Sequence, residues 1–97
     1  MGTITGRMAT HRPARYAKQL TSHWSAHGPI TDEGGALVQR LGDGRVLVLR
    51  PATDHLHIEV SAPADGDISR LADAVKAHLE RFGQRENLSV IWDRTTQ

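Results

Sequence analysis

From His55 to Val60 the chain reads HLHIEV, an unbroken alternation of polar and apolar residues. Successive side chains of a strand point to opposite faces. Leu56, Ile58 and Val60 therefore share one face, and His55, His57 and Glu59 the other. Such a strand belongs to an antiparallel sheet with one face on a core and the other in water. Its apolar face needs a covering layer, and a later stretch offers one. At 100° per residue Ile68, Leu71, Ala72, Val75, Leu79 and Phe82 fall on a single arc. That spacing predicts a one-sided helix over Ile68–Phe82, capped by Asp67 and closed by Gly83.

The other elements follow from similar signals. Thr3–Ala9 is β-prone and predicts a first strand. Thr10 as N-cap and Pro13 in the first turn start a helix over Pro13–Ala26. Tyr16, Ala17, Leu20 and Trp24 share its apolar arc, while Arg15, Lys18 and Ser22 lie opposite. A left-handed Gly28 followed by Pro29 ends it. Ala36–Leu41 and Arg45–Arg50 flank GDG, a hairpin connection that accepts positive φ. The next turn is Pro51–Asp54. Leu88–Trp92 predicts a last strand, and residues 93–97 a frayed tail. Two one-sided helices and a one-sided meander satisfy one another when both helices cover the same sheet face. The expected fold is a single α+β domain over residues 1–97. It is a two-layer sandwich with a mainly antiparallel sheet of four to six strands, in ferredoxin-like order with an extra strand.

Composition removes several classes of function. Twelve basic and eleven acidic residues nearly cancel, which argues against nucleic acid or an anionic membrane as partner. A small molecule or a protein is the expected partner. With no cysteine there is no disulfide, thiolate metal site, iron–sulfur cluster or cysteine nucleophile. Val46–Leu49 is too short to span a bilayer. The N-terminal stretch lacks the apolar run of a signal peptide, so a cytoplasmic location is expected.

With the helices placed, two stretches carry a family pattern. AT-x-RP-x-RYAKQL-x-SHW-x-x-H spans Ala9–His27, and HLERF-x-x-RE-x-L-x-V-x-W spans His78–Trp92. Together with the glycine-turn meander they resemble the bacterial family catalogued as domain of unknown function 2218. The chain departs from that pattern at Gly28, where a lysine is expected, and at Gly83-Gln84, in place of an Ala-Phe pair. The resemblance implies a small bacterial domain without an assigned activity. Similar domains keep company with siderophore-interacting flavoproteins, which implies a link to iron handling by association alone.

Three groups of residues carry candidate chemistry. His23 and His27 stand four residues apart on either side of Trp24, the one-turn spacing at which two imidazoles can grip a metal. His78, at the edge of the second helix's arc, could converge on them. Three imidazoles suffice for zinc, copper or iron with an open position, and two could hold haem iron. The plainer alternative, which we favour, is that these histidines mostly pack and cap, with His23 and His78 close together but not chelating. No Glu stands between His23 and His27, so the zinc-protease pattern is absent. His55, His57 and Glu59 form a second set, read here as an ordinary solvated face. Arg81 and Arg85, with Tyr16, are candidates for binding a carboxylate or phosphate. The alternative for the arginines is a surface ion pair with Glu80 or Glu86. There is no nucleophile elbow, phosphate loop or matched nucleophile–base set. A binding or accessory module is therefore the first expectation, and a metal- or haem-dependent enzyme using the three histidines the second.

The periodicity alone yields one stability prediction. Leu79 lies mid-arc on the second helix. Leu79→Ala is expected to cost about 2–5 kcal/mol in a denaturant melt, a large share of the stability of so small a domain.

Overall fold

The computed structural model describes residues 2–93 of the chain. Six strands and two helices run in the order β1 (Gly2–Ala9), α1 (Pro13–His23), β2 (Ile30–Glu33), β3 (Ala36–Gly42), β4 (Arg45–Pro51), β5 (His55–Ala62), α2 (Asp65–Phe82) and β6 (Val90–Trp92). Short 3₁₀ turns at Ser25–His27 and Gln84–Glu86 follow the helices. The strands form one sheet in the order β2-β3-β4-β5-β1-β6, each pairing antiparallel with its neighbour. The inner order β4-β5-β1-β6 is ferredoxin-like. The hairpin β2–β3 extends its edge, so two strands rather than one are added. The strand missed in the sequence is β2. Its Gly34-Gly35 connection, with φ of 66° and 93°, makes a two-residue hairpin of the kind that only residues tolerant of positive φ can close. Asp43-Gly44 does the same between β3 and β4, with φ of 55° and 77°.

One face of the sheet is the core face. Met8, Leu47, Leu49, Leu56, Ile58 and Val60 are fully buried there. Both helices lie on it: Tyr16, Ala17 and Leu20 from α1 and Ile68, Leu71, Val75 and Leu79 from α2 join the same apolar cluster. Gly6 faces Trp92 across the β1–β6 ladder. A Cβ on Gly6 would stand 2.5 Å from the Trp92 ring, so the missing side chain is the space the indole fills. Trp24 is buried as expected, while Phe82 is half-buried against the cluster. On the opposite face His55 pairs with Asp54 and His57 lies 3.8 Å from Glu59. Asp54 is held below the ordinary carboxylate range, first by its hydrogen bond with His55.

Several local expectations are corrected. Thr10 does not cap α1. Arg12 occupies the cap position, and the Thr10 hydroxyl accepts from the Arg12 amide in the lead-in turn. Asp67 does not cap α2. The helix begins at Asp65 after an extended Ala64, which puts Asp67 inside the first turn. Gly83 is not left-handed (φ −94°) but lies against Leu88, where a Cβ would come within 2.6 Å of a methyl. Gly28 is not left-handed either: its backbone is extended (φ 160°, ψ 164°). It is glycine because a Cβ would stand 1.9 Å from the Arg40 carbonyl oxygen. Of the expected frayed tail, Asp93 is tied down, its amide donating to the Thr5 carbonyl at 2.8 Å. Residues 94–97 lie outside the described residues.

Glu80 joins α2 to β6. Its carboxylate takes hydrogen bonds from Lys76 Nζ and the Val90 amide, at 2.9 Å for the latter. The expected pairing of Glu80 with Arg81 or Arg85 is thereby replaced by one with Lys76. The Lys76 bond, then the Val90 bond, hold the Glu80 carboxyl below its ordinary range.

Three substitutions test these assignments. Gly28→Ala meets main chain that cannot give way and is expected to cost about 2–4 kcal/mol. Gly66→Ala, exposed in the first turn of α2 with nothing within 4 Å, is expected to be neutral or to stabilise by up to about 1 kcal/mol. Urea melts of the two variants make the comparison. A carboxyl with a depressed folded-state pKa stabilises above its unfolded value, about 4.3, and stops doing so as pH falls through the folded one. Glu80→Gln is therefore expected to cost about 0.5–1.5 kcal/mol at neutral pH, with the difference closing in acid. Amide exchange at Val90 should quicken in the variant at pH 7 and match wild type at low pH.

Candidate functional site

The site begins where α1 stops. Its α-helical hydrogen bonds run through His23, and Trp24 takes the cap position, its amide donating to the Leu20 carbonyl. The chain then tightens into the Ser25–His27 turn. Beneath it lies Gln39 on β3, fully buried on the helix-facing side of the sheet, beside Leu47 of β4. Its Nε2 donates to the Trp24 carbonyl at 2.7 Å and to the Gly28 carbonyl at 3.2 Å. The Trp24 carbonyl accepts from the His27 amide as well, at 2.9 Å, so Gln39 braces the turn from below. The Arg40 amide also donates to the Pro29 carbonyl at 3.1 Å. The segment is thus fastened to the sheet edge at three carbonyls. Gln39 was not singled out in the sequence, although a glutamine amid alternating apolar residues was a usable signal.

Between this fastened segment, the β3–β4 end of the sheet and the first half of α2 lies a cavity of about 470 Å³. Its apolar wall comprises Trp24, Leu41, Leu71 and Ala74; its polar wall comprises His23, His27, His78, Arg45, Arg70 and Asp67. The volume falls in the range of small-molecule sites. Arg45 is held in place by donating from Nη2 to the Leu41 carbonyl at 2.9 Å and from Nε to the Gly42 carbonyl at 3.3 Å. Those two bonds leave Nη1 for a further acceptor. Arg70 is exposed and forms no ion pair among the described residues.

The structure brings the three candidate histidines to this one cavity, though not in the helical arrangement that their spacing suggested. His23 ends α1, while His27 belongs to the 3₁₀ turn. The one-turn stacking of residues i and i+4 therefore does not apply. His23 meets His78 instead, with ring centroids 5.2 Å apart. Trp24 stands edge-on to His78 at 5.2 Å, and Phe82 edge-on to His23 at 5.7 Å. His78 Nδ1 lies 2.8 Å from the Ala74 carbonyl oxygen. Among the described residues no three His, Cys, Asp or Glu side chains are grouped so as to hold a metal ion. Arg81, in the last turn of α2, and Arg85, in the 3₁₀ turn beyond it, are exposed and do not line the cavity. Tyr16 is buried in the core, away from its walls. Arg45, Arg70 and Asp67, which do line it, were not selected from the sequence. Arg45 reads there as the start of a strand and Asp67 as a cap.

No curated protein matches the chain by sequence. A solved structure is similar over its whole length: the NMR structure of PA4090 from Pseudomonas aeruginosa. It is 23% identical, with all of each chain covered and a TM-score of 0.80. At that identity the likeness establishes the fold. Among the described residues no helix is long and apolar enough to cross a membrane. The family model described as "Uncharacterized protein conserved in bacteria (DUF2218)" matches residues 5–93, nearly the whole described chain, and the protein belongs to that family.

Proposed function

We propose that this domain is a binding module for a small acidic ligand with a flat apolar part, seated in the cavity between the end of α1 and the first half of α2. The observation that carries the reading is the division of the cavity wall. Trp24, Leu41 and Leu71 offer an apolar surface, while Arg45 and Arg70 offer two cations against the single carboxylate of Asp67. Arg45 is positioned in advance by its two carbonyl bonds, so little freedom is lost when it meets an anion. A guanidinium suits a carboxylate or phosphate, and an indole edge or face suits a ring. The resemblance to domains that accompany siderophore-interacting flavoproteins adds iron handling as the setting to test first. Aromatic oxygen-donor chelators fit the same chemistry.

The test is a titration with salicylate and with its uncharged amide, followed by amide chemical shifts and by Trp24 fluorescence in a Trp92→Phe background. Salicylate is expected to shift residues of the cavity wall and the amide to bind at least about tenfold more weakly. Arg70→Gln, an exposed change that the fold tolerates, is expected to weaken salicylate by about three- to tenfold. Equal binding of acid and amide, or shifts confined to the opposite sheet face, would overturn the reading.

A further inference from the structure

The pairing of His23 with His78 has a geometry of its own. The two rings come from different helices, stand 5.2 Å apart between centroids and are inclined at 48°. Two imidazoles bound to one zinc ion at about 2.0–2.1 Å in a tetrahedral shell place their centroids about 5 Å apart. The spacing before any ion is added already matches.

His78 is also set in the right tautomer. A carbonyl oxygen only accepts, so the 2.8 Å contact with Ala74 puts the hydrogen of the neutral ring on Nδ1. Nε2 then keeps the lone pair. Ligating histidines are commonly oriented in this way, with a carbonyl behind one nitrogen and the metal at the other. Trp24 and Phe82 stand edge-on to the same ring and fix its plane. His23 is exposed but meets Phe82 edge-on, and a turn of its ring would bring a nitrogen toward the shared point. Both residues line the cavity, so ligand positions not filled by the pair face into it.

We propose that His23 and His78 form a two-imidazole site for a divalent transition ion such as Zn²⁺. Its remaining positions are filled by water or by oxygen donors of a molecule in the cavity. His27 is not a ligand: it sits on the 3₁₀ turn and makes no ring contact with the pair among the described residues. With two protein ligands the ion exchanges readily, as suits capture of a metal together with a chelator rather than structural support. The proposal shares the cavity with the binding function above but not its anionic ligand. The metal is titrated alone, so either idea can fail without the other.

The experiment is calorimetric titration of the untagged full chain with Zn²⁺, alongside nitrogen chemical shifts of the histidine rings. One ion is expected per chain. Both His23→Ala and His78→Ala should weaken binding at least about tenfold. His27→Ala and the opposite-face double variant His55→Ala/His57→Ala should stay within about twofold of wild type. On saturation the His78 Nε2 resonance should move while Nδ1 remains protonated. His23→Ala removes only an exposed ring, so it keeps the test sound if His78→Ala loses its fold. Unchanged Zn²⁺ affinity in His23→Ala, an unmoved His78 Nε2 resonance, or equal losses in His27→Ala would each overturn the proposal.

Discussion

The buried carboxamide of Gln39 decides the shape of the molecule around its cavity. It is a polar side chain in a row that otherwise runs Leu47, Val60 and Ile4 across β4, β5 and β1. A buried amide in such a row is costly unless its hydrogens are used. Its two hydrogens go to the carbonyls of Trp24, which also accepts from the His27 amide, and of Gly28. The carboxamide oxygen has no protein partner among the described residues. The clamp is therefore the surplus of two donated bonds over one desolvated acceptor. Gly28 completes it by letting its backbone approach Arg40 more closely than any side chain permits. Together these contacts hold the chain where α1 stops, one residue before the last position of its apolar arc, Trp24.

That early stop accounts for the site. Had α1 continued as a regular helix, His23 and His27 would stack on one face. Because it stops, His27 moves onto the tight turn, while His23, still in the helix, stands beside His78 and Trp24 joins the apolar wall of the cavity. The rest of the polar wall comes from elsewhere: Arg45 from the start of β4, and Asp67 and Arg70 from the first turns of α2. The cavity thus collects residues from three separate segments between His23 and His78. Its charge is a local excess of cations on a nearly neutral chain.

Much of the architecture was legible because burial here is strictly one-sided. The alternation of Leu56, Ile58 and Val60, and the arcs of Tyr16–Ala17–Leu20 and Ile68–Leu71–Val75–Leu79, each name the face they bury. Residues that contradict their own local pattern were misread. Gly28 and Gly83 look like left-handed helix ends, yet both are glycines because another part of the chain passes too close for a Cβ. Thr10 and Asp67 look like caps, yet each is displaced by where the helix enters the sandwich. Ile30–Glu33 carries one large apolar residue, too weak a signal for an edge strand. What holds it as a strand is its ladder to β3, which no local pattern records.

By itself the sequence determined the number of layers, the face each central strand and helix buries, the α+β class and the family. These are set by residue periodicity and by motifs contained within single elements. The tertiary structure alone decided which polar residues share a cavity, that His27 leaves the helix for a 3₁₀ turn, and that Arg45 rather than Arg81 faces the same space. The physical reason is that such choices depend on how two helices end against one sheet. A hydrogen bond from Gln39 to a carbonyl fifteen residues away settles the matter at distances of a few ångströms, finer than periodicity can specify.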